Sequence, residues 1–240
     1  MFLSKLTERV VDKRLYEHMC INNLHCVYEH GYKKCHSTET LLLPLVNNTL
    51  LLLDSDLAVI WILIDLSAAF DTVDIDLALQ ILESEIGISG TALEWFDSFL
   101  RGRRQRVRVE KSLSDPIQVQ CGVPQGSVLG PILFNIYIRS LFELIKDKGF
   151  STSGYADDNN ASQSFALQFQ FDVITTQVPQ LMASIKEWMN AHFLKLNQDK
   201  TEIICFLPPK CGKHDTISGT FFENDCIRFS NSVKKIRLYN

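Results

Sequence analysis

One run of eight apolar residues, Leu57 to Ile64, closed at its ends by Asp56 and Asp65, constrains this chain more than any other feature. It is too short to span a bilayer, and its β-branched content favours a strand buried on both faces. Asp65 then stands at the carboxyl end of a central strand. The elements around it follow from periodicity. Apolar residues at Leu3, Leu6, Val10, Val11, Leu15 and Met19 predict an amphipathic helix over 1–26. Thr38 to Leu53 predicts a second, with Pro44 near its first turn or bending it. Asp74 to Ile86, Val128 to Ile145 and Val178 to Ala191 predict three more, the middle one a long core helix. Gln105–Val109 and Ile117–Cys121 alternate polar and apolar residues around a turn-rich segment, a hairpin pattern, and Glu202–Phe206 predicts a further strand. Strands and helices alternate without strict β-α-β order, which predicts an α+β sheet domain.

Composition excludes whole classes. With 46% hydrophobic and 22% charged residues the chain is globular rather than disordered. A net charge of −4 argues against a small basic nucleic-acid module, though not against a larger protein with one basic groove. The longest apolar stretch, Leu41 to Ile64, is interrupted by Asn47, Asn48, Asp54 and Asp56, so no membrane span is expected. The seven cysteines form no C-x-x-C pair, which favours an intracellular, reduced chain. His18, Cys20, His25, Cys26, His30, Cys35 and His36 crowd the N-terminal region in no standard zinc spacing, which leaves a structural metal domain as a remote alternative.

Three sets of residues carry chemistry. Asp157 and Asp158 follow Gly154, Tyr155 and Ala156. Adjacent aspartates on a strand point to opposite faces, so both serve one point only where the chain turns sharply, as at a hairpin tip. With Asp65 on a neighbouring strand they would make an oxygen-rich site suited to hard divalent cations and phosphate oxygens. Gly122, Val123, Pro124, Gln125, Gly126 and Ser127 form a turn whose free N–H groups and capping serine open the next helix. Arg101, Arg103, Arg104, Arg106, Arg108 and Lys111 form a basic run. On an alternating strand Arg104, Arg106 and Arg108 would share one face, suited to a phosphate backbone, with Val107 and Val109 toward the core.

Together these motifs resemble the reverse transcriptases of non-LTR (LINE-type) retrotransposons. Tyr155 to Asp158, the segment IDLSAAFD at 64–71 and GVPQGSVLGP at 122–131 resemble the three core palm motifs, in family order. HGYKKCHSTE at 30–39 is similar to the fingers motif, and LNQDKT at 196–201 to the motif after the catalytic loop. The resemblance covers about residues 3 to 206. It implies a right-hand polymerase with an antiparallel palm sheet packed on helices: fingers-like sequence at 1–56, palm at 57–206 with hairpin elements inserted at about 98–121, and a stub at 207–240 where the thumb would begin. The thumb is expected to be largely absent, and the segment at 232–237 resembles the approach to the primer-gripping strands.

The implied activity is RNA-directed DNA synthesis. Asp65, Asp157 and Asp158 would hold two Mg²⁺ ions, with Mn²⁺ as the alternative, and Lys200 would give a proton to pyrophosphate. Phe70 would lie beneath the incoming sugar and exclude a 2′-hydroxyl. Gln125, Tyr155, Lys33 and Lys34 would contact the nucleotide, Lys33 standing where the family has an arginine, and Arg104, Arg106 and Arg108 would contact nucleic acid. The implied partners are an RNA template, a DNA primer, dNTP and a separate chain bearing the endonuclease or thumb, with no membrane partner. The implied location is intracellular, in nucleus, cytoplasm or both. The alternative is a catalytically silent, truncated retrotransposon-derived protein that binds nucleic acid or assembles with other chains.

Overall fold

In the computed structural model, described for residues 2–209 and for the backbone of two short strands at 221–222 and 225–226, the elements run as follows. They are α1 (Phe2–Ile21), α2 (Thr38–Asp54), β1 (Ala58–Ile64), β2 (Leu66–Ser67), α3 (Ile75–Ser84), α4 (Gly90–Leu100), β3 (Arg104–Gln105), β4 (Arg108–Val109), β5 (Ser112–Leu113) and β6 (Ile117–Gln118). Then come α5 (Gly130–Tyr137), α6 (Arg139–Asp147), β7 (Ser151–Tyr155), β8 (Asp158–Phe165), a mixed helical segment over 167–177 that includes α7 (Gln170–Asp172), and α8 (Val178–Ala191), followed by β9 (Lys195–Leu196) and β10 (Glu202–Phe206). The segment at 232–237 lies outside the described residues. Two compact units interleave in sequence: 1–27, 68–139 and 190–194 form a helical unit, and 28–67, 140–189 and 195–240 form a sheet unit.

The sheet unit is built on β1, which lies between β10 and β8 in the antiparallel order β10-β1-β8-β7. The apolar run is continuous because both faces of β1 are covered: Ile60 and Ile62 are 0% exposed and Val59 only 2%. Each such side chain contributes about 1.5–3 kcal/mol of burial. On one face α2 is tied to the strand by Trp61, whose indole N–H donates to Thr49 Oγ1 at 3.1 Å. Ser37 and Thr40 form a reciprocal capping box at the start of α2, so the serine of the 30–39 motif begins the helix that covers the sheet. Pro44 stands in the second turn, and the helix continues through it.

The helical unit differs from expectation in three places. First, α1 does not bury its apolar stripe: Leu15 and Met19 are buried, while Leu3, Leu6 and Val10 are exposed and Glu8 is turned inward. Glu8 accepts the Val128 N–H at 2.7 Å, and this hydrogen bond sets the face presented. Second, the run from Val128 to Ile145 is two helices. At Ile138 the backbone takes φ −90°, ψ 0° and the helix is interrupted, yet Ile136, Tyr137, Ile138 and Leu141 are all buried, so the apolar pattern is blind to the break. Third, the basic hairpin is a pair of two-residue ladders, β3 with β6 and β4 with β5. Val107 and Val109 are 60% and 66% exposed rather than facing a core, because among the described residues no layer covers so short a ladder.

Tyr137 is the buried polar anchor of the helical unit. Its hydroxyl donates to the His192 carbonyl at 2.6 Å and accepts the Asp74 N–H at 3.3 Å, next to the N-cap of α3. Tyr137→Phe removes both hydrogen bonds and should cost about 1–3 kcal/mol, read as a lower midpoint in thermal or urea unfolding. Burial pushes the phenol up to about 12, whereas the unfolded chain ionises near ~10. The folded state thus holds the proton more tightly, and stability falls as pH rises from 10 toward 12. In Tyr137→Phe that part of the alkaline loss should vanish. Among the described residues no helix is long and apolar enough to cross a membrane.

Candidate active site

Within the sheet unit the carboxylates sit on adjacent strands. The register of β1 with β8 ends at the pair Ile64–Asn159, which sets Asp65 at the level of Asp158. Strands β7 and β8 close through the pair Tyr155–Asp158, leaving Ala156 and Asp157 as a two-residue turn. This is the sharp reversal the adjacent aspartates require. Ala156 adopts φ +61°, a left-handed conformation that costs a non-glycine residue roughly 1–2 kcal/mol. Asp157 and Asp158 are exposed, and Asn159 Nδ2 donates to the Asp157 carbonyl at 3.1 Å.

The backbone of Asp65 is held from the 196–201 motif. Its carbonyl accepts the Asn197 N–H at 2.9 Å, and its N–H meets Thr201 Oγ1 at 3.4 Å. The β2–β9 pair continues this connection through Leu66 and Leu196. The carboxylate takes no part in these bonds, and its Oδ2 is buried without a hydrogen-bond partner. Although Asp158 is exposed, its carboxyl is partly desolvated, and this first, then the negative charges of Asp157 and Asp65, push it above the usual carboxylate range, with Lys200 opposing. The three aspartates and Lys200 are therefore electrostatic neighbours. Tyr155 is half-buried at the base of the turn. The Tyr32 hydroxyl is also pushed up, by burial and then by Asp157, Tyr155 and Glu29, which adds Tyr32 to the surroundings of the turn.

An orphaned buried carboxylate oxygen beside two further negative charges fits a divalent cation. Among the described residues no group of three or more His, Cys, Asp or Glu is arranged as a complete metal cage. Mg²⁺ needs none, since it is held by one or two carboxylates with waters and substrate phosphates completing the shell. In the N-terminal Cys/His region, His18 Nε2 instead approaches the Ile86 carbonyl at 2.7 Å, and His25 Nε2 meets Cys20 Sγ at 3.3 Å.

Behind the turn stands Glu29, which motif reading missed. It is 2% exposed, and its Oε1 accepts the N–H groups of Ala156, at 3.1 Å, and Gly31. The signal was an acidic residue one position before the fingers motif, with no spacing rule to mark it. Gly31 has no side chain to spare, because a Cβ there would lie 2.5 Å from the Ala156 nitrogen. Burial pushes the Glu29 carboxyl above the usual carboxylate range, opposed by the N–H groups of Ala156, Gly31 and His30 and then by the charge of half-buried Lys33; Lys34 is exposed.

Phe70 and Gln125 belong to the helical unit, where the second and third core motifs interlock. The Phe70 carbonyl accepts the Val123 N–H at 2.8 Å, and the Val73 carbonyl accepts the Gly122 N–H at 2.7 Å. Gly122 has φ +82°, and a Cβ there would come within 2.7 Å of the Asp71 carbonyl oxygen, so glycine is needed twice over. The Phe70 ring stacks on Phe134 with centroids 4.5 Å apart. Gln125 Nε2 donates to both carboxylate oxygens of Asp71, at 2.8 and 2.9 Å. Ser127 Oγ accepts the Gly130 N–H at 2.9 Å at the start of α5. Motif reading also gives Asp71 no part, although it closes the segment IDLSAAFD; its position one residue after Phe70 was the available signal.

The basic run divides by role. Arg101 pairs with Asp76 and Asp97, and Arg103 donates to the carbonyls of Leu100, Cys121 and Gly122, so both are structural. Arg104, Arg106 and Arg108 are exposed.

A sequence profile described as reverse transcriptase (RNA-dependent DNA polymerase) matches residues 1–234, and the chain belongs to that family. Its relatives include the probable RNA-directed DNA polymerase from transposon BS of Drosophila melanogaster, 30% identical over 215 residues, covering 85% of this chain and 22% of that protein. The probable RNA-directed DNA polymerase from transposon X-element of the same fly is 27% identical over 209 residues, with 85% and 22% covered. The RNA-directed DNA polymerase from mobile element jockey of Drosophila funebris is 29% identical over 139 residues, with 58% and 15% covered. The resemblance to non-LTR retrotransposon enzymes therefore holds. The chain spans about 22% of the length of the first two relatives. Among solved structures, telomerase from Candida tropicalis in complex with a TWJ fragment of telomeric RNA matches with a TM-score of 0.62 at 15% identity, covering 92% of this chain and 35% of that one. Telomerase from Candida albicans with the same kind of fragment matches at 0.53 and 12% identity, covering 93% and 38%. These likenesses bear on fold, and they agree with an α+β fingers-and-palm polymerase architecture.

Proposed function

We propose that this chain carries the core of an RNA-directed DNA polymerase, which adds dNTPs to a primer 3′-OH paired with an RNA template. The observation that carries this is the convergence of Asp65, at the end of β1, with Asp157 and Asp158 at the β7–β8 turn, one Asp65 oxygen being buried and unpartnered. In this reading Asp65 and Asp157 would hold two Mg²⁺ ions, and Asp158 would complete the acidic site and help position the primer end. The bound metal would supply charge neutralisation at the transferring phosphate and a more acidic primer hydroxyl. Lys200, whose charge already reaches Asp158, would protonate the departing pyrophosphate.

Phe70 would underlie the incoming sugar, Gln125, held by Asp71, would contact the nucleotide, and so would Lys33, Lys34 and Tyr155. Residues 57–206 would act as palm, with the hairpins at about 98–121 as inserted elements and 1–56 as fingers. The reading requires an RNA template, a DNA primer and dNTP, and it places the work inside the cell, in nucleus or cytoplasm. A thumb and an endonuclease would come from residues or chains other than those described.

The test is incorporation of labelled dTTP on poly(rA)/oligo(dT) with Mg²⁺ or Mn²⁺ by the purified chain. Template-dependent extension supports the reading. A folded chain that binds the duplex without extending it would favour a silent nucleic-acid-binding derivative. Arg104, Arg106 and Arg108 make a separate prediction. Replacing all three with alanine should weaken duplex binding for every sequence and make the log–log salt dependence shallower by about two to three, close to one for each phosphate that is no longer neutralised. Binding titrations from about 50 to 200 mM salt would read it, and an unchanged slope would remove these arginines from the interface.

A further inference from the structure

We propose that Glu29 is a positioning residue that holds the Ala156–Asp157 turn in the conformation from which the aspartates act. The inference rests on the polymerase reading above for its functional consequence, and on the sheet unit alone for its geometry. The turn has a problem to solve. Ala156 is at φ +61° with a Cβ that opposes that conformation, so the turn needs a partner elsewhere to remain in it. Nothing in the β7–β8 ladder supplies one, because the last paired residues are Tyr155 and Asp158.

Glu29 supplies it. Its Oε1 accepts the Ala156 N–H at 3.1 Å from a buried position, and the same oxygen accepts the Gly31 N–H. A buried N–H left without such an acceptor would cost about 1–3 kcal/mol. The backbone around Glu29 is docked on the same hairpin: the His30 N–H donates to the Gly154 carbonyl at 2.9 Å, and the Gly154 N–H donates to the Tyr28 carbonyl at 2.9 Å. Glu29 and Gly154 thus form a parallel bridge that brings the carboxylate under the turn. The absence of a Cβ at Gly31 is what lets the two segments approach this closely. Asp157 is the next residue after Ala156, so whatever fixes the Ala156 peptide also fixes where the Asp157 side chain begins.

The experiment compares Glu29→Leu and Glu29→Gln with the wild-type chain. Leucine keeps the bulk and removes the acceptor; glutamine keeps an acceptor oxygen. In Glu29→Leu, kcat for dTTP incorporation should fall on the order of 10- to 100-fold, the scale of misplacing reacting groups by about an ångström, while KM for dTTP stays within about twofold. Glu29→Gln should recover most of that loss. Amide hydrogen exchange gives a second readout independent of activity: the Ala156 amide should exchange roughly tenfold faster or more in Glu29→Leu, the scale of one buried hydrogen bond, and far less so in Glu29→Gln. Unchanged Ala156 exchange in a folded Glu29→Leu chain overturns the proposal, as does a Gln variant as impaired as Leu in both readouts. If Glu29→Leu does not fold, the Ala156 exchange rate of Glu29→Gln against wild type decides, a full loss of protection counting against the acceptor role. A wild-type chain that makes no DNA overturns the polymerase reading, and the exchange comparison still decides whether Glu29 holds the turn.

Discussion

Asp157→Asn and Asp65→Asn should each abolish template-dependent dNTP incorporation while leaving the fold intact. The expected loss is about 10³-fold or more, because a metal clamp supplies several kcal/mol of transition-state charge stabilisation and each 1.36 kcal/mol is tenfold in rate. The fold should survive because the carboxylates are not used to build it. Asp65 is anchored through its backbone to Asn197 and Thr201, and Asp157 is exposed at a turn. Asp158→Asn offers the complementary check. Its carboxyl is held above the ordinary range by partial desolvation and by two like charges, so at neutral pH the amide removes an unfavourable interaction. That variant should melt no lower than wild type and still lose activity. A rate within tenfold of wild type in either Asp65→Asn or Asp157→Asn would end the two-metal reading.

Phe70→Val should open the nucleotide site to ribonucleotides. The Phe70 ring is fixed from two sides, by its stack on Phe134 at 4.5 Å and by the backbone bond from Val123 to its carbonyl, and it remains half-exposed. Valine keeps the backbone bond and removes the ring, leaving room where a 2′-hydroxyl would otherwise collide. A steric filter of this kind discriminates by about 10- to 200-fold. The ratio of kcat/KM for UTP over dTTP should therefore rise by roughly that factor, mainly through UTP. An unchanged ratio would mean that Phe70 serves only as packing for Phe134.

Much of this was legible in the sequence because local chemistry left little choice. Eight apolar residues between two aspartates make a doubly covered strand, and adjacent aspartates serve one site only at a tight turn. Ser37 and Asp74 cap helices where their side chains can reach free N–H groups. What escaped was settled by contacts distant in sequence. Glu8 is turned inward by the Val128 amide 120 residues away, against the stripe that α1 carries. The break at Ile138 hides within continuous burial. Val107 and Val109 alternate like a half-buried strand, but among the described residues they have no layer to be buried under. Arg103 looks like its neighbours in the basic run, yet its guanidinium is occupied by the carbonyls of the Gly122 turn.

By itself the sequence determined the central strand, the aspartates and their placement at strand ends, and the glycines that let segments meet, since each depends on residue type and nearest neighbours. Only the tertiary structure decided which groups support them. Glu29 beneath the Ala156 turn, Asp71 clamping Gln125, and Tyr137 joining Asp74 to His192 each pair groups whose separation along the chain carries no pattern. Hydrogen bonds between distant segments form where packing places a donor beside an acceptor, and that placement is a property of the folded chain rather than of any window of its residues.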